Sequence, residues 1–360
     1  MGSPIDVFSH AYRFKPLASK IMVQLRYVSP CITLLTGLET DTKEREKPGK
    51  ADMVAPSKLV DPFGRKVNSL RISVTQRCNF DCFFCHQEGE SNPDGEATPE
   101  EIETLASVAA ELGITKIKLT GGEPLLREDI VEVVRRVAPY VEEVSMTTNG
   151  FSLAEKAHDL RDAGLKRVNV SLHSMNPDVF CKVIGRDALS EVRKGIAAAL
   201  ECGLRPVKLN MVVMKGVNHG EIPDMIEFSK EVGATLQLIE YQPLERGAED
   251  WESYHFDLRP LEEELKAQAE RIVEREMHRR KQYYLTGGGV VEVVRPMHNS
   301  QFCIHCTRLR VTSDGHLKPC LMREDNHVEA VSLLREGAPR EALIDAFREA
   351  VGKREPFWSE

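Results

Sequence analysis

The chain has 360 residues, 41% of them hydrophobic, and a formal net charge of −8 at pH 7. This length suits one large domain with an appendage, or two domains. The acidic balance argues against broad affinity for nucleic acid, so an anionic ligand would have to meet a local basic patch. No apolar run reaches the roughly 18 residues of a membrane span, and we expect no membrane association.

Six of the nine cysteines fall into two triplets. This grouping is typical of metal binding in a reducing compartment rather than of disulfides, so we expect a cytoplasmic protein. Residues 1–58 differ in character from the rest, with two short apolar runs followed by a charged stretch. We predict a poorly ordered N-terminal extension there, with a targeting segment as the alternative.

From residue 59 onward, strand-like runs alternate with amphipathic segments of helical length, which predicts βαβ units and a parallel sheet. We predict strands at 70–75, 115–119, 142–147, 167–172, 206–213 and 235–240. Helices are predicted near 98–112, 127–139, 152–163, 188–202 and 220–232. Six such units over 59–257 indicate an α/β fold, an open partial (β/α)6 barrel of the TIM type. Chemistry in such barrels lies at the carboxyl ends of the strands.

Residues 258–330 are predicted to form a C-terminal extension that carries the second cysteine triplet. Within it, 259–281 has the pattern of one charged helix, and 282–285 and 290–294 flank three glycines as a β-hairpin. Residues 331–360 are expected to supply closing helices and a tail.

The first triplet, Cys78, Cys82 and Cys85, has the spacing C-x3-C-x2-C and follows the first predicted strand. Three thiolates can hold three irons of a 4Fe–4S cluster, which leaves the fourth iron open to a ligand. The alternative is a zinc knuckle in which His86 is the fourth ligand.

This triplet, with the aromatic Phe84 before its last cysteine, resembles the signature of radical S-adenosylmethionine (SAM) enzymes. The longer run 70–79 is similar to the GTP 3′,8-cyclase of molybdenum-cofactor biosynthesis, the MoaA family. The resemblance implies that SAM binds the open iron beside Phe84. Its reductive cleavage then gives a 5′-deoxyadenosyl radical.

Further motifs follow the next strands. Gly121-Gly122-Glu123 ends the second strand, and its two glycines would allow a ligand to approach the backbone closely. It resembles the family motif that contacts the amino group of SAM. Thr147 and Ser171 end the third and fourth strands and match family positions near the substrate and near SAM, respectively. Each could instead be an ordinary helix cap.

The second triplet is Cys303, Cys306 and Cys320. Taken alone, its spacing fits a structural zinc site completed by His305 or His316. The resemblance implies instead a second 4Fe–4S cluster, whose open iron binds the guanine of GTP.

Basic residues cluster around the same motifs. Arg308 and Arg310 alternate on an extended segment, so both guanidinium groups point the same way, which suits a triphosphate. The resemblance implies that GTP is contacted by Arg71, Lys118, Lys208, Arg308, Leu309 and Arg310, and that Arg308 and Arg310 act in catalysis with the first triplet.

The chain also departs from the bacterial pattern. It has Lys118 and Gln237 where bacterial members often have Arg, Phe84 where many have Tyr, and His173 where many have Asp. It also lacks the terminal Gly-Gly of bacterial and eukaryotic members. These departures resemble an archaeal-type branch.

We therefore predict a radical SAM GTP 3′,8-cyclase, which converts GTP to 3′,8-cyclo-GTP with two 4Fe–4S clusters and SAM. The implied partners are GTP, an external electron donor and the downstream cyclic pyranopterin monophosphate synthase; a homodimer is compatible with the sequence. Two alternatives stay open at this point. One is a radical enzyme that modifies a peptide, and the other is a zinc-stabilised binding protein without catalysis.

Overall fold

The computed structural model describes residues 58–90, 95–244 and 251–359. The extension predicted for 1–58 lies outside these ranges except for its last residue, Lys58. Within the described residues no helix is long and apolar enough to cross a lipid bilayer.

Eleven strands of the described residues form one open, mixed sheet. The six strands of the predicted barrel are parallel neighbours: β1 Ser69–Ser73, β2 Lys116–Thr120, β3 Glu143–Thr148, β4 Leu165–Ser171, β5 Lys208–Val213 and β6 Thr235–Glu240. Their apolar residues, such as Ile117, Leu209 and Leu236, are fully buried. The predicted partial barrel is therefore confirmed.

The helices that connect these strands are α1 Pro99–Glu111, α2 Ile130–Val137, α3 Leu153–Asp162, α4 Pro177–Ile184, α5 Leu189–Glu201 and α6 Ile222–Glu231. Helix α1 begins with a capping box between Thr98 and Glu101, because each side chain accepts a hydrogen bond from the other residue's backbone N–H. Sequence reasoning missed α4. It is short, and its start, where the Asn176 side chain accepts hydrogen bonds from the N–H groups of Asp178 and Val179, has the composition of a loop.

The remaining elements extend both edges of the sheet. They are α7 Trp251–Tyr254, α8 Arg259–Gln268, β7 Ala269–Glu274, β8 Lys281–Leu285, β9 Val290–Val294, α9 Ser300–Ile304, β10 Arg308–Val311, β11 Leu317–Lys318, α10 Val331–Arg335 and α11 Arg340–Gly352. Strand β9 pairs with β6 and β10 pairs with β1, both in parallel, so the strand order of the sheet is β11-β10-β1-β2-β3-β4-β5-β6-β9-β8-β7. The regions predicted as barrel and extension thus share one sheet.

The prediction of a single helix over 259–281 is wrong. Helix α8 ends at Gln268, and residues 269–274 form β7, which pairs antiparallel with β8. Strand β7 is the edge of the sheet, so most of its side chains face solvent. Charged residues are common on such edges, where they hide the alternation that marks a strand. The hairpin β8–β9 and the closing helices α10 and α11 were predicted correctly.

Candidate active site

All six cysteines of the two triplets line a single cavity of about 840 Å³. The cavity is lined by residues of β1–β6 and β10 and by the loops that carry the two triplets. It also contains most of the predicted binding residues, namely Arg71, Phe84, Lys118, Gly121, Gly122, Thr147, Ser171, Lys208, Arg308 and Arg310. The fold therefore brings together motifs that lie more than 200 residues apart in the sequence.

The loop of the first triplet is held by backbone and amide hydrogen bonds. The N–H of Phe80 points at the sulfur of Cys78 (3.4 Å), and the N–H of Gln87 points at that of Cys85 (3.5 Å). Asn149, after β3, donates to the Asn79 side chain at 2.7 Å. Such N–H groups stabilise the thiolates that bind an iron–sulfur cluster. All described cysteines are free of disulfides, so the three thiols are available as ligands.

The two glycines after β2 are required by the packing of this loop. A Cβ on Gly121 (φ +149°) would lie 2.2 Å from the carbonyl oxygen of Thr75, and one on Gly122 would lie 2.4 Å from that of Arg77. The N–H of Gly122 donates to Thr75 O at 2.7 Å. The close backbone approach that the sequence suggested for a ligand is thus already made within the chain, to the segment just before Cys78.

Glu123 is placed behind the cavity and does not line it. Its carboxylate is 1% exposed and accepts hydrogen bonds from the N–H of Asn149 (2.6 Å), the hydroxyl of Thr148 (2.7 Å) and the N–H of Leu125 (2.9 Å). Burial raises the pKa of Glu123 to about 7. The side chain predicted to contact SAM therefore braces the end of β3 in this structure.

The wall near the first triplet is partly aromatic. The rings of Phe84 and His173 meet edge to face, with centroids 4.9 Å apart. The Nδ1 of His173 accepts a hydrogen bond from the N–H of Val212 at 3.2 Å, and burial lowers its pKa to about 4. The ring is therefore neutral at pH 7 and carries its proton on Nε2. Ser171, the last residue of β4 and two residues before His173, also lines the cavity.

Residues near both ends of the described chain hold the segment that carries the first two cysteines of the second triplet. Arg65 donates to the carbonyl oxygen of Cys303 (2.9 Å), and Arg354 donates to that of Cys306 (2.6 Å). The N–H of Trp358 points at the sulfur of Cys303 at 3.5 Å. Burial alone would raise the pKa of the Cys306 thiol, but nearby guanidinium groups, led by that of Arg354, hold it below its ordinary value.

One ring nitrogen of His86 and of His305, and both ring nitrogens of His316, have partners other than a cysteine. The Nδ1 of His86 accepts from the N–H of Glu88 (3.1 Å), and the Nδ1 of His305 contacts the carbonyl oxygen of Gln301 (2.8 Å). Both ring nitrogens of His316 contact carboxylates. Within the described residues, no group of three or more His, Cys, Asp or Glu is placed to hold a single metal ion.

Two of the predicted substrate cations share one buried carboxylate that sequence reasoning missed. Glu88 lies 2.7 Å from both Arg71 and Arg310, and it accepts a hydrogen bond from Thr120 at 3.0 Å. Burial would raise the pKa of Glu88, but the two guanidinium groups lower it to about 2. Glu88 is therefore ionised and fixes both arginines.

A second missed carboxylate, Glu292, lies under Lys208. It is fully buried, forms an ion pair with Lys208, and also contacts Arg275 (3.2 Å) and Arg280 (3.1 Å). A lone Glu within the apolar run Val290–Val294 was the available signal for it, because a charge in a buried strand requires partners.

Arg308 and Lys118 differ from these paired cations. Within the part of the chain that the structure describes, neither has a carboxylate at ion-pair distance; Arg308 contacts the sulfur of Met277 (3.3 Å), and Lys118 donates to Asn169 (3.0 Å). Burial lowers the pKa of both groups, and neighbouring cations lower it further. Two half-buried basic side chains without a carboxylate partner among the described residues suit an anionic ligand.

Leu309 is placed differently from its prediction. Its side chain is fully buried in the core between Arg308 and Arg310 and does not line the cavity. Any contact between Leu309 and a substrate is therefore limited to its backbone.

Comparison with known protein families agrees with this arrangement. Residues 72–229 match the Radical SAM superfamily, and residues 234–360 match the family described as Molybdenum Cofactor Synthesis C. A "Probable GTP 3′,8-cyclase" of Thermococcus kodakarensis is 53% identical over 83% of this chain and 99% of its own length. One of the same name from Pyrococcus abyssi is 48% identical over 84% of this chain and all of its own length.

Among solved structures, SuiB of Streptococcus suis bound to S-adenosylmethionine superposes with a TM-score of 0.58 at 16% identity. It covers 78% of this chain and 68% of its own, a likeness that concerns the fold alone. The chain belongs to the radical SAM superfamily and, within it, to the family of the GTP 3′,8-cyclases. The predictions of SAM, of two 4Fe–4S clusters and of an archaeal-type relationship are confirmed at the level of the family.

Proposed function

We propose that this chain is a GTP 3′,8-cyclase, which catalyses the first step of molybdenum-cofactor biosynthesis. The observation that carries the proposal is a cavity lined by both cysteine triplets and by Arg308 and Lys118, which have no carboxylate at ion-pair distance among the described residues. An enzyme that uses a radical on a polyphosphate substrate needs the radical-generating centre and the phosphate-binding cations in one cavity.

Each triplet has its own part in this proposal. Cys78, Cys82 and Cys85 would hold the cluster that binds SAM, and Cys303, Cys306 and Cys320 would hold the cluster that faces the guanine. When bound, the first cluster and SAM supply the radical chemistry. None of the chain's side chains has to become a radical in this scheme.

The chain's own residues hold and orient the substrate. Arg308 and Lys118 would bind the triphosphate directly, because anionic oxygens supply a counter-charge that the described part of the chain does not. Arg71 and Arg310 would add forked donors in the orientation that Glu88 fixes. Phe84, His173 and Ser171 would bound the SAM side, where they exclude water from the reacting carbon atoms.

The reaction also implies partners outside the chain. Reductive cleavage of SAM requires one electron, so we propose an external electron donor of low potential. The product would pass to the downstream cyclic pyranopterin monophosphate synthase. We also propose a cytoplasmic location, where thiols stay reduced and GTP is abundant, and a homodimer as the assembly to test.

Anaerobic incubation with GTP, SAM and dithionite, followed by chromatography and mass analysis of the nucleotides, tests the proposal. We expect GTP to be consumed and a new nucleotide to appear only when all components are present. If SAM is cleaved while GTP stays unchanged under every condition, the chain acts on another substrate, for example a peptide.

A further inference from the structure

Three charged residues from opposite ends of the described chain meet beside the second triplet. The carboxylate of Asp61 lies between two guanidinium groups, 2.6 Å from that of Arg65 and 2.8 Å from that of Arg354. The Asp61 side chain is fully buried, and those of Arg65 and Arg354 are 6% and 1% exposed. We call these three residues the guanidinium clamp.

Asp61 is hydrogen-bonded on both oxygens. Its Oδ1 accepts from the N–H of Phe63 (3.0 Å) and from that of Arg65 (2.9 Å), while Oδ2 faces the two guanidinium groups. The carboxylate thus folds the turn over 61–65 and ties it to Arg354, which lies 293 residues further along the chain. The contact therefore ties the two ends of the described chain together.

The other ends of both arginines bind the cysteine loop. Arg65 donates to the carbonyl oxygen of Cys303 at 2.9 Å, and Arg354 donates to that of Cys306 at 2.6 Å. Both arginines also line the cavity. Two cations and one carboxylate leave this clamp with a net positive charge in a buried place, next to two of the three cysteines.

We propose that the guanidinium clamp positions the second cluster and sets its reduction potential. The proposal rests on the assignment of that cluster to Cys303, Cys306 and Cys320. Reduction adds one electron to the cluster, and no bond is made or broken. A nearby buried positive charge stabilises the reduced form and so raises the potential. The clamp thereby makes the second cluster easier to reduce.

Two substitutions that both break the clamp change its charge in opposite directions. Arg354→Met removes a positive charge at similar length, whereas Asp61→Asn removes the negative charge and keeps an oxygen for the turn. The clamp predicts that Arg354→Met lowers the midpoint potential and Asp61→Asn raises it. Each substitution should change the ratio of oxidised to reduced cluster at a given potential about tenfold. This corresponds to a shift of about 59 mV in the midpoint potential of a one-electron couple. If the clamp had only a structural role, the two variants would not shift the potential in opposite directions.

The measurement is an anaerobic dithionite titration followed by electron paramagnetic resonance. It uses the full chain with Cys78, Cys82 and Cys85 changed to Ala, so that only the second cluster contributes to the signal. Arg127→Met is the matched control. Arg127 is also buried, donates to two backbone carbonyls and pairs with an Asp, yet it lies away from the second triplet. It should lower the unfolding temperature without moving the potential.

The outcomes distinguish a failure of the clamp proposal from a failure of the second-cluster assignment on which it rests. If the triple Ala background holds no iron, the assignment of the second cluster is wrong. If it holds about four irons and the two clamp variants keep the parent potential or shift it in the same direction, the clamp proposal is wrong. Should Arg354→Met fail to assemble the cluster, Arg354→Lys retains the charge without the fork. The clamp then predicts a midpoint potential near that of the parent for Arg354→Lys and a higher potential for Asp61→Asn.

Discussion

The carboxylate of Glu88 lies 2.7 Å from the guanidinium of Arg310, which is 222 residues away in the sequence. Glu88 follows the first triplet by three residues, and Arg310 follows the second cysteine of the other triplet by four. Glu90, two residues after Glu88, also joins these two regions, because its carboxylate accepts a hydrogen bond from the N–H of Ser313 at 2.9 Å. The loop of the first triplet is therefore fixed to β10, the strand that carries the two arginines proposed to bind the substrate.

Glu88→Gln should destabilise the protein strongly. The change leaves Arg71 and Arg310 buried without a counter-charge, and breaking such a buried network costs about 3–5 kcal/mol. We expect that loss in the free energy of unfolding, measured by denaturant titration under anaerobic conditions. Glu132→Gln is the control, because Glu132 is 47% exposed in its pair with Arg136 and should cost less than about 1 kcal/mol. Equal losses in the two variants would show that the Glu88 network is not important for stability.

Arg308→Ala should weaken GTP binding without loss of iron. A charge-assisted hydrogen bond contributes about 1.5–3 kcal/mol, so we expect an affinity roughly tenfold to a hundredfold lower. Lys at this position should rescue only in part, since it lacks the guanidinium fork. The measurement is equilibrium binding of GTP to protein with both clusters confirmed.

Arg259→Ala is the control for this variant, since Arg259 is 74% exposed and pairs with Asp257. It should bind GTP like the parent. Arg310→Ala should differ from Arg308→Ala, because it also leaves Glu88 short of one partner and therefore lowers the free energy of unfolding as well. GTP affinity unchanged in Arg308→Ala would favour a substrate other than a triphosphate.

Much of the fold could be predicted because its signals are local. Each parallel strand of the barrel is a short apolar run, and Thr98-Pro99 and the three glycines at 287–289 mark a helix start and a turn. Strand β7 could not be predicted, since its exposed charges are as typical of a helix. The division at 58, 258 and 331 stays a prediction.

The site was predictable only where a residue lies in a contiguous motif. The cysteines, Gly121 and Arg308 belong to such motifs, whereas Glu88 has a partner that depends on the pairing of β1 with β10. Asp61 and Arg354 meet only after the whole chain has folded. Glu123 belongs to a motif, yet the structure turns its carboxylate towards Thr148 rather than into the cavity.

The two triplets should bind clusters with different functions, of which only the first cleaves SAM. Reconstituted protein should hold about eight irons and eight sulfides per chain, and changing Cys303, Cys306 and Cys320 to Ala should halve that content. We expect this variant to retain some cleavage of SAM to 5′-deoxyadenosine, whereas Ala at Cys78, Cys82 and Cys85 should abolish it. Identical behaviour of the two triple variants, or stoichiometric zinc at the second site, would contradict the assignment.

Glu123 should make stability depend on pH. Its carboxyl has an ordinary pKa of 4.5, which burial raises to about 7 in the folded chain. The folded state therefore binds more protons, so the contribution to stability is complete below about pH 4.5 and is lost as pH rises through about 7. At most it amounts to about 3 kcal/mol. Unfolding temperatures of the parent and of Glu123→Gln, measured anaerobically at several pH values, check this. The parent should lose more stability on going to alkaline pH, and parallel profiles would contradict the shift.

The fate of the hydrogen at C3′ of GTP distinguishes the proposed cyclisation from any other use of the radical. The proposed reaction removes this hydrogen, forms a bond from C3′ to C8 and takes up one electron and one proton, so the product is an isomer of GTP. With GTP deuterated at C3′, SAM and dithionite, we expect deuterium in the 5′-deoxyadenosine and a new nucleotide separable from GTP. Unlabelled 5′-deoxyadenosine with all of the GTP recovered intact would contradict it.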